Sequence, residues 1–136
     1  MGILNREALL KRQELKIEKI ELSEDEEIYV REMTGHERDT FERSLYDLDK
    51  NNKPITRLDD FRAKLAVCTI CDEQGELLLK FGDFLTLSKS MGAARLEKIV
   101  NKAQELNKIS ETDKEQLTKN SEVVPDDSSN SGSVEN

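Results

Sequence analysis

The sequence predicts an α+β fold that is mainly helical, with four to five short helices, one small N-terminal β-hairpin and a disordered acidic C-terminal tail. Three observations lead to this prediction. Apolar residues recur at helical spacing in most of the chain, they alternate in strand fashion only around residues 16–32, and they become sparse after residue 119. A chain of 136 residues is most simply one domain, which we expect over 1–119. Because 35% of the residues are apolar and 4% are aromatic, we expect its core to be modest.

A short N-terminal helix is predicted by Asn5, whose side chain can accept a hydrogen bond from an amide of the first helical turn. Leu9 and Leu10 are expected on the inner side of this helix. Its surface is charged and its length is small, so we expect it to fray unless it docks on another element.

A β-hairpin is predicted over about 16–32. The alternation slips by one residue between Ile17 and Ile20, which favours a bulge or a change from helix to strand at that point. Residues 23–26 form a polar turn, and Ile28 and Val30 then resume the alternation. Because a two-stranded hairpin is marginal in water, its apolar face is expected to lie on helices or on another subunit.

A capping box, Thr34 and Glu37, predicts the next helix. Phe41, Leu45 and Leu48 follow at the spacing of one apolar helical stripe, and the helix is expected to end before a loop at 51–54.

A second box, Thr56 and Asp59, predicts another helix, which ends before the turn at 72–75. Its inner face is expected to carry four residues: Leu58, Phe61, Leu65 and Cys68.

The last long helix is predicted from about Ser90, with Asn107 as its C-terminal cap. A third box, Ser110 and Asp113, predicts a final short helix around Leu117. The inner face of the long helix is expected to hold Leu96, Ile99, Val100, Ala103 and Leu106. Residues 120–136 carry too few apolar side chains to offset the entropy of ordering, and they are the predicted disordered tail.

The cysteines and the histidine predict no reactive centre. Cys68 and Cys71 form a CxxC pair, but the sequence has neither a second pair nor the histidines that would complete a metal site. The pair also ends a helical pattern, where the helix dipole does not lower a thiol pKa, so we expect two core or semi-buried thiols. His36 is expected to be a polar residue of the first helical turn. We therefore predict no catalytic residues, no cofactor and no metal.

The charge pattern limits the kinds of partner. A formal net charge of −8 argues against binding to nucleic acid, which depends on Lys and Arg at phosphates. No apolar run approaches the roughly 20 residues of a membrane span, and no signal-peptide pattern opens the chain, so we expect a cytosolic protein without a membrane partner.

Residues 77–87 are the densest apolar run, and their lack of a clean period fits a strand, a short helix or both. The simpler interpretation is that they belong to the core. The alternative is that part of the run stays exposed and grips extended or helical segments of a partner protein. The candidate protein-binding residues are Leu77, Leu79, Phe81, Phe84 and Leu87.

Several segments resemble the tail assembly chaperones of siphophages, which are encoded just upstream of the tape-measure protein. The similar segments are KIEKIEL followed by EEIYVREMTGHERDTFE, then RAKLAVCTICDEQGELL, then AARLEKIVNKAQELN ahead of SETDKEQLTKNS. Together they span nearly everything from about residue 14 to residue 121. None is a catalytic motif, so the resemblance rests on their order and spacing.

The resemblance implies a non-enzymatic chaperone in the host bacterial cytoplasm that is absent from the mature virion. Its implied partners are the tape-measure protein, which it keeps soluble, and the tail tube protein, which it recruits. Its own longer form, made by ribosomal frameshifting, is a further implied partner.

Two other classes of function remain open from the sequence. One is a structural tail or head–tail joining subunit, which would be present in purified virions. The other is an acidic inhibitor or regulator, whose binding would be strongly salt-sensitive.

Overall fold

The computed structural model describes residues 2–11 and 14–109, and within them it confirms a mainly helical α+β fold. The predicted tail at 120–136 and the predicted capping box at Ser110 lie outside the described residues. The helices are α1 (Arg6–Leu10), α2 (Gly35–Arg43), α3 (Phe61–Val67), α4 (Phe84–Ser90) and α5 (Ala93–Asn107), with a 3₁₀ turn at Phe81–Asp83 before α4. The strands are β1 (Ile17–Ser23), β2 (Glu26–Arg31), β3 (Tyr46–Leu48), β4 (Pro54–Thr56) and β5 (Ile70–Cys71).

The predicted N-terminal hairpin is confirmed as β1 and β2, and β5 joins it to form an antiparallel sheet of order β1-β2-β5. Ile20 pairs with Ile28, and Val30 pairs with Ile70, so these four side chains share one face of the sheet. That face packs on the core and on α5. The third strand and the helix together stabilise a hairpin that would be marginal alone.

The bulge predicted between Ile17 and Ile20 is wrong. Pairing of β1 with β2 is continuous from Ile17 to Glu21, and the irregularity lies between Glu21 and Ser23. Ile17 is apolar although it faces away from the core, because it packs on the turn that follows β5. Its Cδ1 lies 3.0 Å from the place that a Cβ on Gly75 would occupy, and Gly75 has a φ of +88°.

The core between α3 and α5 follows the predicted helical stripe closely. The predicted inner face of α5, Leu96, Ile99, Val100, Ala103 and Leu106, is entirely buried. Phe61 and Leu65 of α3 are buried against it, and the ring of Phe41 from α2 meets the Phe61 ring edge-on at 5.4 Å. The amphipathic pattern therefore predicted the main packing surface correctly.

The predicted extension of α2 to Leu48 is wrong, because α2 ends at Arg43 and residues 46–56 form a second hairpin, β3 and β4. Its turn is closed by the Asp49 carboxylate, which accepts hydrogen bonds from the amides of Asn51 and Lys53 at 2.8 and 2.9 Å. Asn52 takes a φ of 63°, which asparagine tolerates. Leu48 is consequently on the surface, 55% exposed.

The second capping box is also wrong, since Thr56 belongs to β4 and α3 begins only at Phe61. Asp60 precedes the helix with a φ of 58° and does not cap it with its side chain. Instead, Asp60 Oδ1 accepts a hydrogen bond from the hydroxyl of Ser88 at 2.5 Å, so this carboxylate links the start of α3 to α4. Leu58 precedes the helix and is exposed rather than part of its inner face.

The first helix has the predicted cap but not the predicted packing. Asn5 Oδ1 accepts a hydrogen bond from the Ala8 amide at 2.9 Å. Leu9 and Leu10 nevertheless point to solvent, and α1 contributes no buried residue. The expectation that they face inward fails because no described element covers that side of α1.

A buried ion pair joins the hairpin to α2. Arg31 is only 4% exposed, and its guanidinium donates to Glu37 Oε2 at 2.7 Å. The other oxygen of Glu37 accepts the Thr34 amide at 2.9 Å, which completes the predicted capping box. Glu37 therefore caps a helix and neutralises a buried cation with the same carboxylate.

Asn107 connects this pair to α5. Its Oδ1 accepts the Met33 amide at 2.7 Å, and its Nδ2 donates to the Ala103 carbonyl at 2.9 Å. The predicted cap role belongs to the next residue, Lys108, which has a φ of 54°. Asn107 is instead a tertiary link between the end of α5 and the connection between β2 and α2.

The pair predicts a specific loss in a Glu37→Gln variant. Glutamine keeps the shape of the side chain but leaves Arg31 buried without a counter-ion, which we expect to lower the free energy of unfolding by about 3 kcal/mol at pH 7. The control is Glu42→Gln, because Glu42 pairs at 2.9 Å with the more exposed Arg38 and should cost only about 0.5 kcal/mol. Urea unfolding measures both values.

The loss should also depend on pH. Partial burial alone would raise the pKa of Glu37, but hydrogen bonds from Arg31 and the Thr34 amide outweigh it and hold that pKa below 4.5. A lowered folded-state pKa means that the carboxylate stabilises the fold above about pH 4.5, and that this contribution disappears as pH falls through the folded-state value. The difference between wild type and Glu37→Gln should thus shrink in acid; an unchanged difference would contradict the assignment.

Candidate functional site

The apolar run after β5 combines both structures that its sequence allowed. The Asp72 carboxylate accepts the amides of Gln74 and Glu76 at 2.8 and 3.0 Å, and this turn reverses the chain. Leu77 then forms a bridge with Cys71, after which the chain makes the 3₁₀ turn and α4. Both short helical segments pack against α3. We call residues 77–91 the apolar ridge.

All five candidate residues, Leu77, Leu79, Phe81, Phe84 and Leu87, are half-buried. The last four pack against the core with one side and leave the other side accessible. The run is therefore neither fully buried core nor a free surface. It is an apolar strip anchored on the body of the protein, with part of its area facing solvent.

Two leucines of the ridge are more exposed than any of those five candidates. Leu78 is 58% exposed and Leu85 is 46% exposed. A local signal identifies Leu85: Phe84 and Leu87 of α4 and Met91 just after it lie at i, i+3 and i+7 and form the inner stripe, and Leu85 lies off that stripe. Helical spacing cannot predict the exposure of Leu78, because the orientation of that side chain depends on the pairing of residue 77 with β5.

The aromatic residues of the ridge are held in fixed positions. The rings of Phe81 and Phe84 lie 5.4 Å apart at an interplanar angle of 48°. The ammonium group of Lys64 sits 5.3 Å from the centre of the Phe84 ring and donates to the Ser44 carbonyl at 2.9 Å. A cation over an aromatic face adds attraction beyond apolar packing, so Lys64 of α3 helps to hold the ridge in place.

A shallow groove of about 400 Å³ separates the end of the ridge from the start of α3. Leu58, Phe61, Met91 and Leu96 contribute its apolar lining. The ion pair of Arg62 with Glu97, at 2.6 Å, joins α3 to α5 beside it. The groove extends the apolar surface of the ridge toward α5.

The thiols are buried, as predicted. Cys68 follows α3 and Cys71 ends β5, and both are free and belong to the protein interior. Burial raises the pKa of Cys68 to about 11, the Glu37 charge adds to this rise, and Arg31 opposes it. Burial also raises the pKa of Cys71. Both effects keep the sulfur atoms protonated near neutral pH, which is the unreactive form.

Within residues 2–11 and 14–109, no three His, Cys, Asp or Glu side chains are placed to hold a metal ion. His36 is exposed in the first turn of α2. Among the helices of the described part, none is long and apolar enough to span a membrane.

The acidic turn of the first hairpin is partly neutralised by α5. Glu26 pairs with Arg95, and a hydrogen bond from that arginine is the main cause that lowers the pKa of Glu26. On β1, Glu18 pairs with Lys102 at 3.0 Å. The anionic side chains of this hairpin thus serve in part to attach it to α5, and they are not all available to a partner.

Comparisons of the chain with models of known protein families, with curated proteins and with solved structures gave no match.

The buried thiols predict slow labelling of the native protein. With a thiol reagent at pH 8, we expect Cys68 and Cys71 to react only as fast as the fold opens, and to react rapidly in denaturant. A Glu24→Cys variant supplies the control, because its new thiol lies in the exposed turn between β1 and β2 and should react at once. Rapid reaction of two thiols in folded wild type would contradict the burial.

Proposed function

We propose that this chain is a non-enzymatic tail assembly chaperone that binds the tape-measure protein of a long-tailed phage and keeps it soluble. The observation that carries the proposal is the apolar ridge, with Leu78 and Leu85 exposed beside anchored phenylalanines. A long helix with apolar stripes aggregates alone, and an apolar strip on a stable body is a suitable surface to cover it. The resemblance of the sequence to this family supports the same partner.

In this proposal the chaperone acts in the host cytoplasm, also recruits the tail tube protein, and is absent from the finished virion. A frameshift-extended form of the chain would share the same ridge and carry additional contacts. The attachment of the ridge to α3 favours binding without large rearrangement.

Co-expression with the tape-measure protein tests the proposal. We expect wild type to keep that protein in the soluble fraction, and a Leu78→Ser/Leu85→Ser variant to lose most of this effect, because the two exposed contacts are removed while the buried side of the ridge is kept. The two substitutions should change the free energy of unfolding by only about 0.5 kcal/mol each, since both side chains are on the surface.

The matched control is Tyr46→Ser/Leu48→Ser on β3. These two residues are 44% and 55% exposed, so the control removes a similar apolar surface elsewhere. The proposal predicts that the control variant still keeps the tape-measure protein soluble. Equal rescue by both variants, or loss in the β3 variant alone, would contradict a role for the ridge.

The two other classes of function give different results. A structural tail or joining subunit would be recovered with purified virions. An acidic regulator would bind a basic partner through the hairpin carboxylates, and its affinity would fall steeply with salt. Because Glu18 and Glu26 already pair with basic residues of α5, fewer hairpin carboxylates are available to a basic partner, which argues against a regulator of this kind.

A further inference from the structure

The first strand of the sheet, β1, has one edge that no other strand covers in the described part of the chain. The Glu32 amide donates to the Lys16 carbonyl at 2.9 Å, whereas the Arg31 amide donates to the Thr69 carbonyl beside β5, also at 2.9 Å. Since backbone groups alternate in direction along an antiparallel pair, this pattern fixes which residues of β1 bond to β2. The residues whose amide and carbonyl groups point away from β2 are Ile17, Lys19 and Glu21.

The charged side chains along this edge are not matched within one copy. Lys19 and Glu21 lie on the same face of β1, opposite to that of Ile20. Glu21 sits directly across from Glu27 of β2, and like charges in that position are unfavourable. In the described part Glu21 forms no ion pair, and Lys19 reaches only Glu27, at 3.7 Å, with both side chains about half exposed. Glu21 therefore lacks a cation, which a second strand at the edge can supply.

We propose that β1 pairs in antiparallel fashion with β1 of a second copy, about a twofold axis that passes through Ile20. In this register Lys19 of each copy lies directly opposite Glu21 of the other, and both residues direct their amide and carbonyl groups at the neighbouring strand. The two Ile20 side chains meet on the core face, where each is only partly buried in a single copy. The inference goes beyond the proposed function and does not rest on it.

The charges also select this register over its alternatives. An axis through Glu18, Lys19 or Glu21 would place that residue opposite its own copy, and two like charges would then face each other. An axis through Ile17 or Leu22 would pair only one end of β1. Charged residues on an edge strand normally oppose pairing, but here their order permits an identical strand in one register.

The acidic turn of the hairpin does not prevent this association. Residues 20–27 contain five carboxylates and no basic residue, and among them Glu26 is paired with Arg95. The antiparallel arrangement places each turn beside the start of the other β1, where Lys16 is exposed and Glu32 is occupied in accepting the Lys16 amide at 2.9 Å. The two turns are then separated by about eight residues of strand, roughly 26 Å, which exceeds a Debye length of about 8 Å. Their repulsion is consequently screened.

Sedimentation equilibrium of the full chain tests the inference. Because one strand from each copy makes a small contact, we expect a weak dimer whose average mass rises from 15.6 kDa toward twice that value between about 5 and 500 µM. Association should weaken as salt rises, since the pairs of Lys19 with Glu21 are exposed. A chain that keeps a mass of 15.6 kDa over this range would overturn the inference.

Charge reversal tests the register. By the twofold symmetry, Lys19→Glu or Glu21→Lys alone converts two attractive pairs into two repulsive ones, and each should raise the dimer Kd at least about tenfold. The double variant Lys19→Glu/Glu21→Lys restores opposite charges across the axis and should return the Kd to within about threefold of wild type. The control is Lys50→Glu, in the turn between β3 and β4, which changes the net charge as Lys19→Glu does and should leave association unchanged. Singles that associate as wild type does, or a double variant that stays dissociated, would overturn the register.

Amide exchange measured by NMR locates the contact independently of any substitution. The amides of Lys19 and Glu21 should exchange quickly in dilute protein and slowly in concentrated protein. The amides of Glu18 and Ile20 bond to β2 and should be protected at both concentrations, so they serve as the control within the same strand. Exchange at Lys19 and Glu21 that does not respond to concentration would overturn the inference.

Other interfaces give different results. Association that persists in Lys19→Glu and is abolished by Leu9→Ser/Leu10→Ser would place α1 at the contact, and abolition by Leu78→Ser/Leu85→Ser would place the apolar ridge there. Either result would overturn pairing through β1. Because rescue of the tape-measure protein is assigned to the ridge and needs no dimer, a monomeric chain would leave the proposed function intact. A dimer that fails to rescue the tape-measure protein would do the reverse.

Discussion

A guanidinium enclosed by protein remains charged at acceptable cost only beside a carboxylate, and this requirement places Arg31 next to Glu37. The two residues are six positions apart, at the end of β2 and in the first turn of α2, so their pairing joins the sheet directly to that helix. Asn107 then ties the same short connection to the end of α5 through the Met33 amide. The sheet, α2 and α5 are thereby held together at the connection between β2 and α2.

The ridge depends on this arrangement through the elements on which it packs. Its platform consists of α3, which packs on α5, and of β5, which extends the sheet built on β2. Because the platform is close-packed, the ridge can keep one side buried and present the other without collapsing. An apolar surface that is attached in this way stays available to a partner, whereas a mobile one would turn inward or aggregate.

Local patterns predicted the parts of the fold that local physics controls. The Thr34–Glu37 box and the inner stripe of α5 were correct, because capping and helical spacing act within a few residues. Tertiary contacts decided the rest. Thr56 pairs in β4 instead of capping α3, and β5 arises from pairing with β2 rather than from any strand pattern of its own. The ridge was predicted as a region; the helical spacing in α4 could also have identified Leu85, whereas the exposure of Leu78 follows from the pairing of residue 77 with β5.

We propose that the outer side of the ridge is the surface that a tape-measure helix covers. Hydrogen–deuterium exchange of the chain, alone and in complex with the tape-measure protein, measures this most directly. We expect added protection of amides in residues 77–91, with little change in the β3–β4 hairpin and in the turn between β1 and β2. Protection confined to either of those hairpins, with residues 77–91 unchanged, would contradict it.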